Sequence, residues 1–462
     1  MEHHVSLVGA PRHSAEERKA IGKEARRRTS RDALADLPTA RADAVGLIDS
    51  QAAVRVADLI PVRYERMGQS PFTFLRGAAL VMADDLSRTP HSGLLTQICG
   101  DAHLSNFGAY AAPDRSLVFD LNDFDETAVG PFEWDVKRLA ASVVVSAREM
   151  GIDAGTQATL ARLVGHTYRT ATAAFAGMGT LDTWYARVDA AKIAALAENT
   201  TRMVDKTFAK NMRKAQSRTS LKARDRLTEV VDGQRRFVED PPLLQRVGDE
   251  LTTGEVASVL SEYRRSLPPD RQRLLHRYTP VDVAHKVVGV GSVGLMAFLV
   301  LFDGRDSDDP LVLQVKQAVD SVIAGYIDQP PAAPDHQGQR VVQGQLLMQA
   351  ASDIFLGWAT GPRLHRHFYW RQFRDMKWSP EILTLPLERL TGYVQLCAWL
   401  LARAHARTGD ALAVSAYLGG SDKFDRAIER WAVGYADITE ADHAAFTAAL
   451  ATRSKENARI SF

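Results

Sequence analysis

The sequence reads as a mixed α+β fold, and three observations carry that reading. Two stretches cluster and alternate apolar residues as strands do, one near residues 94–121 and a longer one near 281–373. Most of the remainder, above all 151–275 and the chain after Leu387, carries apolar residues at helical spacing. The longest strongly apolar run, Leu295 to Phe302, is far too short to span a bilayer.

Composition narrows the class further. The 462 residues are 45% apolar and 24% charged, which is ordinary for a water-soluble protein with room for two or three structural units. A formal charge of +1 gives no global attraction to nucleic acid or to a membrane surface. Cys99 and Cys397 stand far apart and without metal-type spacing, so neither a disulfide scaffold nor a zinc site is expected. Residues 1–45 are charged and lack the apolar core of a signal peptide. The expectation is a cytoplasmic protein with no membrane or nucleic-acid partner.

Five segments follow in order. Residues 1–45, rich in Arg, Glu and Ala, predict a flexible or loosely helical N-terminal segment. Residues 46–150 begin with helices over 52–87, broken at Gly68-Gln69-Ser70-Pro71. Strand candidates then appear at Leu94–Cys99 and Leu117–Leu121, before a helix over Trp134–Glu149. Residues 151–280 predict an almost wholly helical region with breaks at Gly177, Gly233, Pro241-Pro242 and Pro268-Pro269. Within it, Arg202–Arg226 holds nine Lys or Arg against two Asp, which is either a solvated helix face or a surface for an anionic substrate. Residues 281–378 predict strands at 284–289, 295–302, 311–315, 354–358 and 368–373 with a helix over 339–352. Residues 379–462 return to helix, with a long apolar one through Leu401 and His405.

Two clusters carry chemistry. Gly100-Asp101-Ala102-His103-Leu104-Ser105-Asn106 packs an aspartate, a histidine and an asparagine into one turn, and Asp123-Phe124-Asp125 follows after a single strand. Such a set suits phosphoryl transfer: one carboxylate orients a hydroxyl, while an amide oxygen and a second carboxylate hold magnesium against phosphates. Far downstream, Gly289-Val290-Gly291-Ser292-Val293-Gly294 lies between two predicted strands rather than before a helix. That position suits a glycine-rich flap whose N–H groups approach phosphates, although a plain glycine turn would look the same. Lys316 ends the next apolar strand, and a lysine held there needs an anion unless it snorkels to solvent.

Together these residues resemble the protein-kinase-like superfamily, most closely its aminoglycoside- and choline-phosphotransferase branch. The catalytic loop of that branch reads roughly H-G-D-x-H-x-x-N, and here Cys99 replaces the first histidine. Its metal motif is similar to Asp123-Phe124-Asp125, then Gly130-Pro131 and Asp135 at the start of a helix. The resemblance implies a two-lobed kinase-like α+β fold that binds ATP and Mg2+. It implies Asp101 as catalytic base with His103 buttressing the loop, Asn106 and Asp123 as metal ligands, and Asp135 as a structural brace. It implies Gly289, Gly291, Ser292 and Gly294 over the phosphates, Lys316 on the nonreacting phosphates, and adenine near Phe373–Met376.

Two departures from the branch stand out. No glutamate follows Lys316 on the next helix, so Gln345 is the expected partner. The catalytic loop also precedes the glycine flap, which reads as circular permutation with 151–280 as a large helical insert joining the old C-lobe to the old N-lobe. The chain is also similar to a bacterial family of unassigned function sharing the G-D-x-H-x-x-N-F-G motif, here Gly100–Gly108, and the R-V-V-x-G-Q motif, here Arg340–Gln345.

The expected activity is phosphoryl transfer to a hydroxyl of a small molecule. A basic helix over Arg202–Arg226, with Lys210, Arg213 and Lys214, would favour an anionic acceptor. A noncatalytic nucleotide-binding module and a nucleotidyl transferase acting on a protein remain the alternatives. A calcium loop over Asp120–Glu126 fails on spacing, since Phe124 falls where a ligand belongs. A metal-dependent hydrolase using His103 and Asp101, or turn-forming Asp and Asn alone, are further readings of the same residues.

Overall fold

The computed structural model describes residues 13–189, 220–241, 243–247, 253–287, 293–327, 333–362, 365–373 and 377–460. Two short ribbons come first in the chain's β-structure. Strand β1 (Leu95–Ile98) pairs antiparallel with a later strand, and β2 (Phe107–Ala111) pairs with β3 (Leu117–Leu121). The partner of β1 is β4 (Ala128–Pro131), which runs directly into the helix Phe132–Glu149. Pro131 precedes the first turn, and Glu133 and Asp135 lie in it, where carboxylates favour the positive end of a helix.

Every residue of that helix from Phe132 to Ala147 is buried. It forms the centre of the helical part, packed by the helices Ala154–Ala176, Leu387–Thr408 and Lys423–Ile460. Phe132, Tyr168, Leu401, Phe424 and Trp431 belong to the core they share with β1–β4.

The other part is a sheet. Strands β5 (Thr228–Val231) and β6 (Gln234–Phe237) form a hairpin, and β7 (Leu244–Arg246) joins the larger sheet at its edge. Then come β8 (Thr279–Lys286), β9 (Ala297–Asp303), β10 (Pro310–Ala318), β11 (Gly357–Thr360) and β12 (His367–Gln372). Among the described residues the sheet has six strands in the order β11-β12-β10-β9-β8-β7, and each neighbouring pair is antiparallel.

Both faces of this sheet are covered, which explains the near-continuous apolar runs in β9 and β10. On β10, Leu311, Leu313 and Val315 share one core with Val300, Phe368 and Trp370, capped by Tyr263 stacked on Trp370 at 4.4 Å. Val312 joins Leu299, Leu301 and Phe373 on the opposite face. Strand alternation then sends Gln314 and Lys316 to that second face, toward the helical part.

Several expectations change. Residues 151–275 are not wholly helical, because β5, β6 and β7 lie there. Asp232 and Gly233 both have positive φ (52° and 78°), the signature of a two-residue hairpin turn between alternating flanks rather than a helix break. Strands β2 and β4, rich in Gly and Ala, carry too little branched apolar character to read as strands. The N-terminal segment holds a defined helix, Ala15–Arg28, started by a Ser14–Glu17 capping box and packed on the helix Ala411–Leu418. Among the described residues no helix is long and apolar enough to cross a membrane.

Candidate functional site

The two ribbons bring two loops together. Ile98 stands opposite Ala128, and Phe107 opposite Leu121. The loop 99–106 therefore meets the loop 122–127. The Asn122 N–H donates to the Asn106 carbonyl at 3.0 Å, and Thr127 Oγ1 donates to the Ile98 carbonyl at 2.7 Å. Gly100 has φ of +78°, and a Cβ there would lie 2.3 Å from the Glu126 carbonyl oxygen. Only glycine allows both the conformation and the approach.

Asp101 sits in the first loop. Arg138 holds its Oδ1 from two directions, Nε at 2.8 Å and Nη2 at 2.6 Å. His103 Nε2 lies 3.7 Å from its Oδ2. Burial pushes the Asp101 carboxyl up to about 6, against the pull of Arg138 and with the charge of Asp123 adding to the rise. Burial, and then the cations of Arg76 and Arg138, hold the His103 imidazole well below its ordinary value, so it is neutral. His103 Nδ1 has no partner among the described residues.

Asn106 is buried, and its Nδ2 donates to the Asp101 carbonyl at 2.6 Å. The amide oxygen is then the atom it can offer a cation. Asp135 acts as a brace: its carboxylate accepts from the Cys99 N–H at 2.8 Å and the Gly100 N–H at 2.9 Å. His405 Nε2 lies 3.2 Å from the same carboxylate, and the Tyr168 hydroxyl 2.8 Å from His405 Nδ1.

The sheet supplies the opposite wall. Lys316 Nζ donates to Asp125 Oδ2 at 2.5 Å, and the Tyr369 hydroxyl donates to Asp125 Oδ1 at 2.5 Å. Register explains the pair, since Lys316 and Tyr369 are direct neighbours on β10 and β12. Burial opposes the Lys316 charge, yet Asp125 beside it holds the ammonium well above the ordinary lysine range. Burial likewise opposes the Asp125 charge, and the lysine outweighs it, keeping that carboxyl below its ordinary value.

The expectation that Gln345 partners Lys316 is therefore wrong. Gln345 Nε2 donates instead to Gln349 Oε1 at 2.9 Å, and Gln349 Nε2 donates to the Leu121 carbonyl. The lysine finds its carboxylate in the loop after β3, not on the helix after β10.

That helix, Gln337–Met348, locks onto the same loop. Arg340 donates to the carbonyls of Thr127 at 2.6 Å, Asp125 at 2.9 Å and Val319 at 2.9 Å. Gly344 lets it close: a Cβ there would meet Thr127 Cγ2 at 2.3 Å. Glu126 caps the turn after β10, accepting from the Val322 N–H at 2.8 Å, and burial pushes its carboxyl up to about 7.

A cavity of about 520 Å³ lies between these walls, with Asp123, Lys316, Gln345, Arg371 and Lys377 among its lining. Leu243, Val287 and Phe373 give it an apolar portion. Arg371 is fixed by Gln314 at 3.0 Å. Burial, with Arg371 adding, pushes the Lys377 ammonium down to about 7. A second cavity of about 520 Å³ lies on the other sheet face among Val259, Val300, Val315 and Phe368, and holds none of the motif residues.

The structure thus brings together Asp101, His103, Asn106, Asp123, Asp135, Lys316 and Gln345. Gly294 is described, with φ of +91°, and a Cβ there would lie 3.0 Å from the Arg55 Cβ. Gly289, Gly291 and Ser292 lie outside the described residues, as do residues 374–376 and the stretch holding Lys210, Arg213 and Lys214. Arg138, Tyr369, Arg371, Lys377 and the role of Asp125 escape sequence reasoning. Arg138 had a usable signal, standing three residues after Asp135 on the same face of one helix.

Among the described residues no set of three or more His, Cys, Asp or Glu side chains gathers as a protein-only metal cage. Asn106 and Asp123 offer two oxygens from adjoining loops, joined by the Asn122 N–H on the Asn106 carbonyl. Magnesium fits such a pair, because it takes one or two protein oxygens and completes its shell with phosphates and water.

Residues 55–449 match the family described as "Uncharacterized protein conserved in bacteria (DUF2252)". No curated protein and no solved structure matches the chain.

Proposed function

The chain belongs to that bacterial family, DUF2252, and we propose that it is an ATP- and magnesium-dependent phosphotransferase acting on a hydroxyl of a small molecule. The observation that carries the reading is convergence. Asp123 lines one cleft with Lys316, whose partner Asp125 is 191 residues away in sequence; the loop of Asp101 and Asn106 adjoins it, with the Asn122 N–H on the Asn106 carbonyl and the Asp123 charge acting on Asp101. Phosphoryl transfer needs that set of groups, and a turn-forming or purely structural role for each would not gather them.

The roles follow from the contacts. Arg138 occupies Asp101 Oδ1, which leaves Oδ2 to orient an acceptor hydroxyl and take its proton. A carboxyl poised near 6 suits a base working at neutral pH. Asn106 and Asp123 would hold magnesium, which when bound offsets phosphate charge. Lys316 would exchange part of its contact with Asp125 for phosphate oxygens. Leu243, Val287 and Phe373 would take the adenine.

The fold behind this reading is kinase-like and circularly permuted. The end of the helix Leu387–Thr408 lies beside the start of the catalytic segment: Thr408 Oγ1 is 2.7 Å from Thr96 Oγ1, across 312 residues. That helix would lead straight into β1 in an unpermuted chain. The helix after β10 and the antiparallel sheet carrying Lys316 support the same arrangement.

Calorimetry with and without magnesium, followed by transfer from γ-labelled ATP to a metabolite panel, tests the proposal. Asp101→Ala should lower turnover about a hundred- to ten-thousand-fold and leave ATP affinity intact. Asp123→Ala should abolish the magnesium-dependent part of ATP affinity. Well-folded protein with no magnesium-dependent ATP binding would refute the reading, and matching profiles for the two variants would refute the roles.

A further inference from the structure

A group of arginines between Asp101 and the loop after β8 has no function in the scheme above. Arg55 follows a short helical turn, Arg63 and Arg66 lie on the helix Ile60–Gly68, and Arg76 ends the helix Pro71–Gly77. Arg55 Nη1 donates to the Val293 carbonyl at 2.5 Å, and the Val56 N–H donates to the Gly294 carbonyl at 2.7 Å. The segment 55–77 therefore runs from the loop between β8 and β9 to the neighbourhood of Asp101. Arg66 lines the same cavity as Asp123 and Lys316.

Three of these guanidinium groups are uncompensated. Arg63 is fully buried, and Arg55 and Arg76 are partly so. Among the described residues none of the three pairs with a carboxylate, and Arg55 Nε, Arg63 Nε and Nη1, and Arg76 Nε are buried without any hydrogen-bond partner. The charges acting on them differ: Arg55 is drawn to Glu126 and Asp125, Arg63 is repelled by Arg55 and drawn to Asp49, and Arg76 is drawn to Asp101. Glu126 is a weak counter-ion, since burial raises its carboxyl to about 7.

A structural role covers part of this. Arg63 Nη2 donates to the Gly77 carbonyl at 3.0 Å and Arg138 Nη2 to the Leu75 carbonyl at 2.7 Å, so both cap the end of the helix Pro71–Gly77. Arg63 Nη2 also donates to Gln51 Oε1 at 2.7 Å, which still leaves its Nε and Nη1 desolvated, and the Arg76 guanidinium, 5.9 Å from the Phe72 ring centroid, takes no part in the capping. Buried cations with unfilled donors and no counter-ion are unfavourable unless an anion completes them. Planar guanidinium groups suit a phosphate with several acceptor oxygens.

We propose that Arg55, Arg63 and Arg76 form a phosphate-binding subsite on the acceptor side of Asp101, so that the acceptor carries a phosphate group in addition to the hydroxyl that Asp101 orients. The assignment of this subsite to the acceptor rests on the phosphotransferase reading. The subsite itself rests on the arginines. It supplies a preference for an anionic acceptor independently of the stretch 202–226, most of which lies outside the described residues.

The test is titration of the full chain with inorganic phosphate at low ionic strength, alone and with a saturating nonhydrolysable ATP analogue and magnesium. Phosphate should bind in both conditions. Arg76→Gln and Arg55→Gln should each weaken phosphate about tenfold or more, the loss expected for a charge-assisted contact, and change analogue affinity less than about threefold. Lys316→Met should do the reverse. Without phosphate, Arg76→Gln should unfold at a similar urea concentration, because relief of the burial cost of an unpaired charge offsets the lost attraction of Asp101 and the lost contact with the Phe72 ring.

Unchanged phosphate affinity in both arginine variants would overturn the subsite. Displacement of phosphate by the analogue would overturn the acceptor assignment and give the arginines to the nucleotide's own terminal phosphate. A protein that binds phosphate through Arg76 but never binds the analogue would refute the phosphotransferase reading while leaving the subsite in place.

Discussion

Replacing Lys137 with Met should make this protein more stable at neutral pH. Lys137 sits on the helix Phe132–Glu149 with no solvent exposure, and its Nζ has no hydrogen-bond partner among the described residues. Its ammonium lies 5.0 Å from the Trp431 ring centroid. Burial pushes its pKa down from 10.5 to about 8, with Glu133 and then Asp36 opposing the fall. At about 1.36 kcal/mol for each tenfold change in proton affinity, that fall amounts to roughly 3 kcal/mol of destabilisation of the charged form.

The sign follows from which state holds the proton more tightly. The unfolded chain binds it with the higher affinity, so the penalty is absent above about pH 10.5, grows as pH falls toward 8, and is constant below that. The ring contact returns about 1–2 kcal/mol that Met forgoes. Met fills a similar volume without a charge, so the net gain at pH 7 should be about 1–2 kcal/mol. Urea unfolding of both proteins from pH 7 to 10.5 measures it: the variant's advantage should shrink steadily across that range. A variant less stable at pH 7, or an advantage independent of pH, would refute the argument.

Two further outcomes concern the site. Asp125→Asn strands the Lys316 ammonium in a buried setting and should lower unfolding stability by about 3–5 kcal/mol, whereas Tyr369→Phe, which loses one hydrogen bond to the same carboxylate, should lower it by only about 1–3 kcal/mol; equal losses in urea titration would show that Lys316 is not the main partner. Gly344→Val forces a branched side chain against Thr127 and should cost about 1–3 kcal/mol as well as weakening magnesium-dependent ATP binding, because Thr127 lies in the same loop as Asp123. A variant with normal stability and normal binding would mean that the helix does not set the loop.

What was legible in the sequence was whatever chemistry depends on close spacing. Asp101, Asn106 and Asp123 lie on two loops separated by one hairpin, so their convergence is a local matter of β2–β3 pairing. Lys316 is legible because alternation along β10 must bury it. Its partner is not, because nothing local distinguishes the second aspartate of Asp123-Phe124-Asp125 from a solvent-facing neighbour; that choice is made by Tyr369, on a strand far downstream. Arg55, Arg63 and Arg76 are spread over helices that look like any amphipathic surface until the tertiary fold buries them. The hairpin at Asp232-Gly233 went the other way: the turn signal was present, and the surrounding helical pattern obscured it.

The Arg340 clamp has a kinetic consequence. It donates to the carbonyls of Thr127 and Asp125 across 213 and 215 residues of chain. Hairpins such as β8–β9 form among near neighbours, whereas this clamp closes a loop of nearly half the molecule, and the packing of Phe132–Glu149 against Leu387–Thr408 and Lys423–Ile460 closes longer ones, each with its entropic cost. The cleft needs such long-range closures and a single helix does not, so recovery of ligand binding should trail the recovery of helical signal.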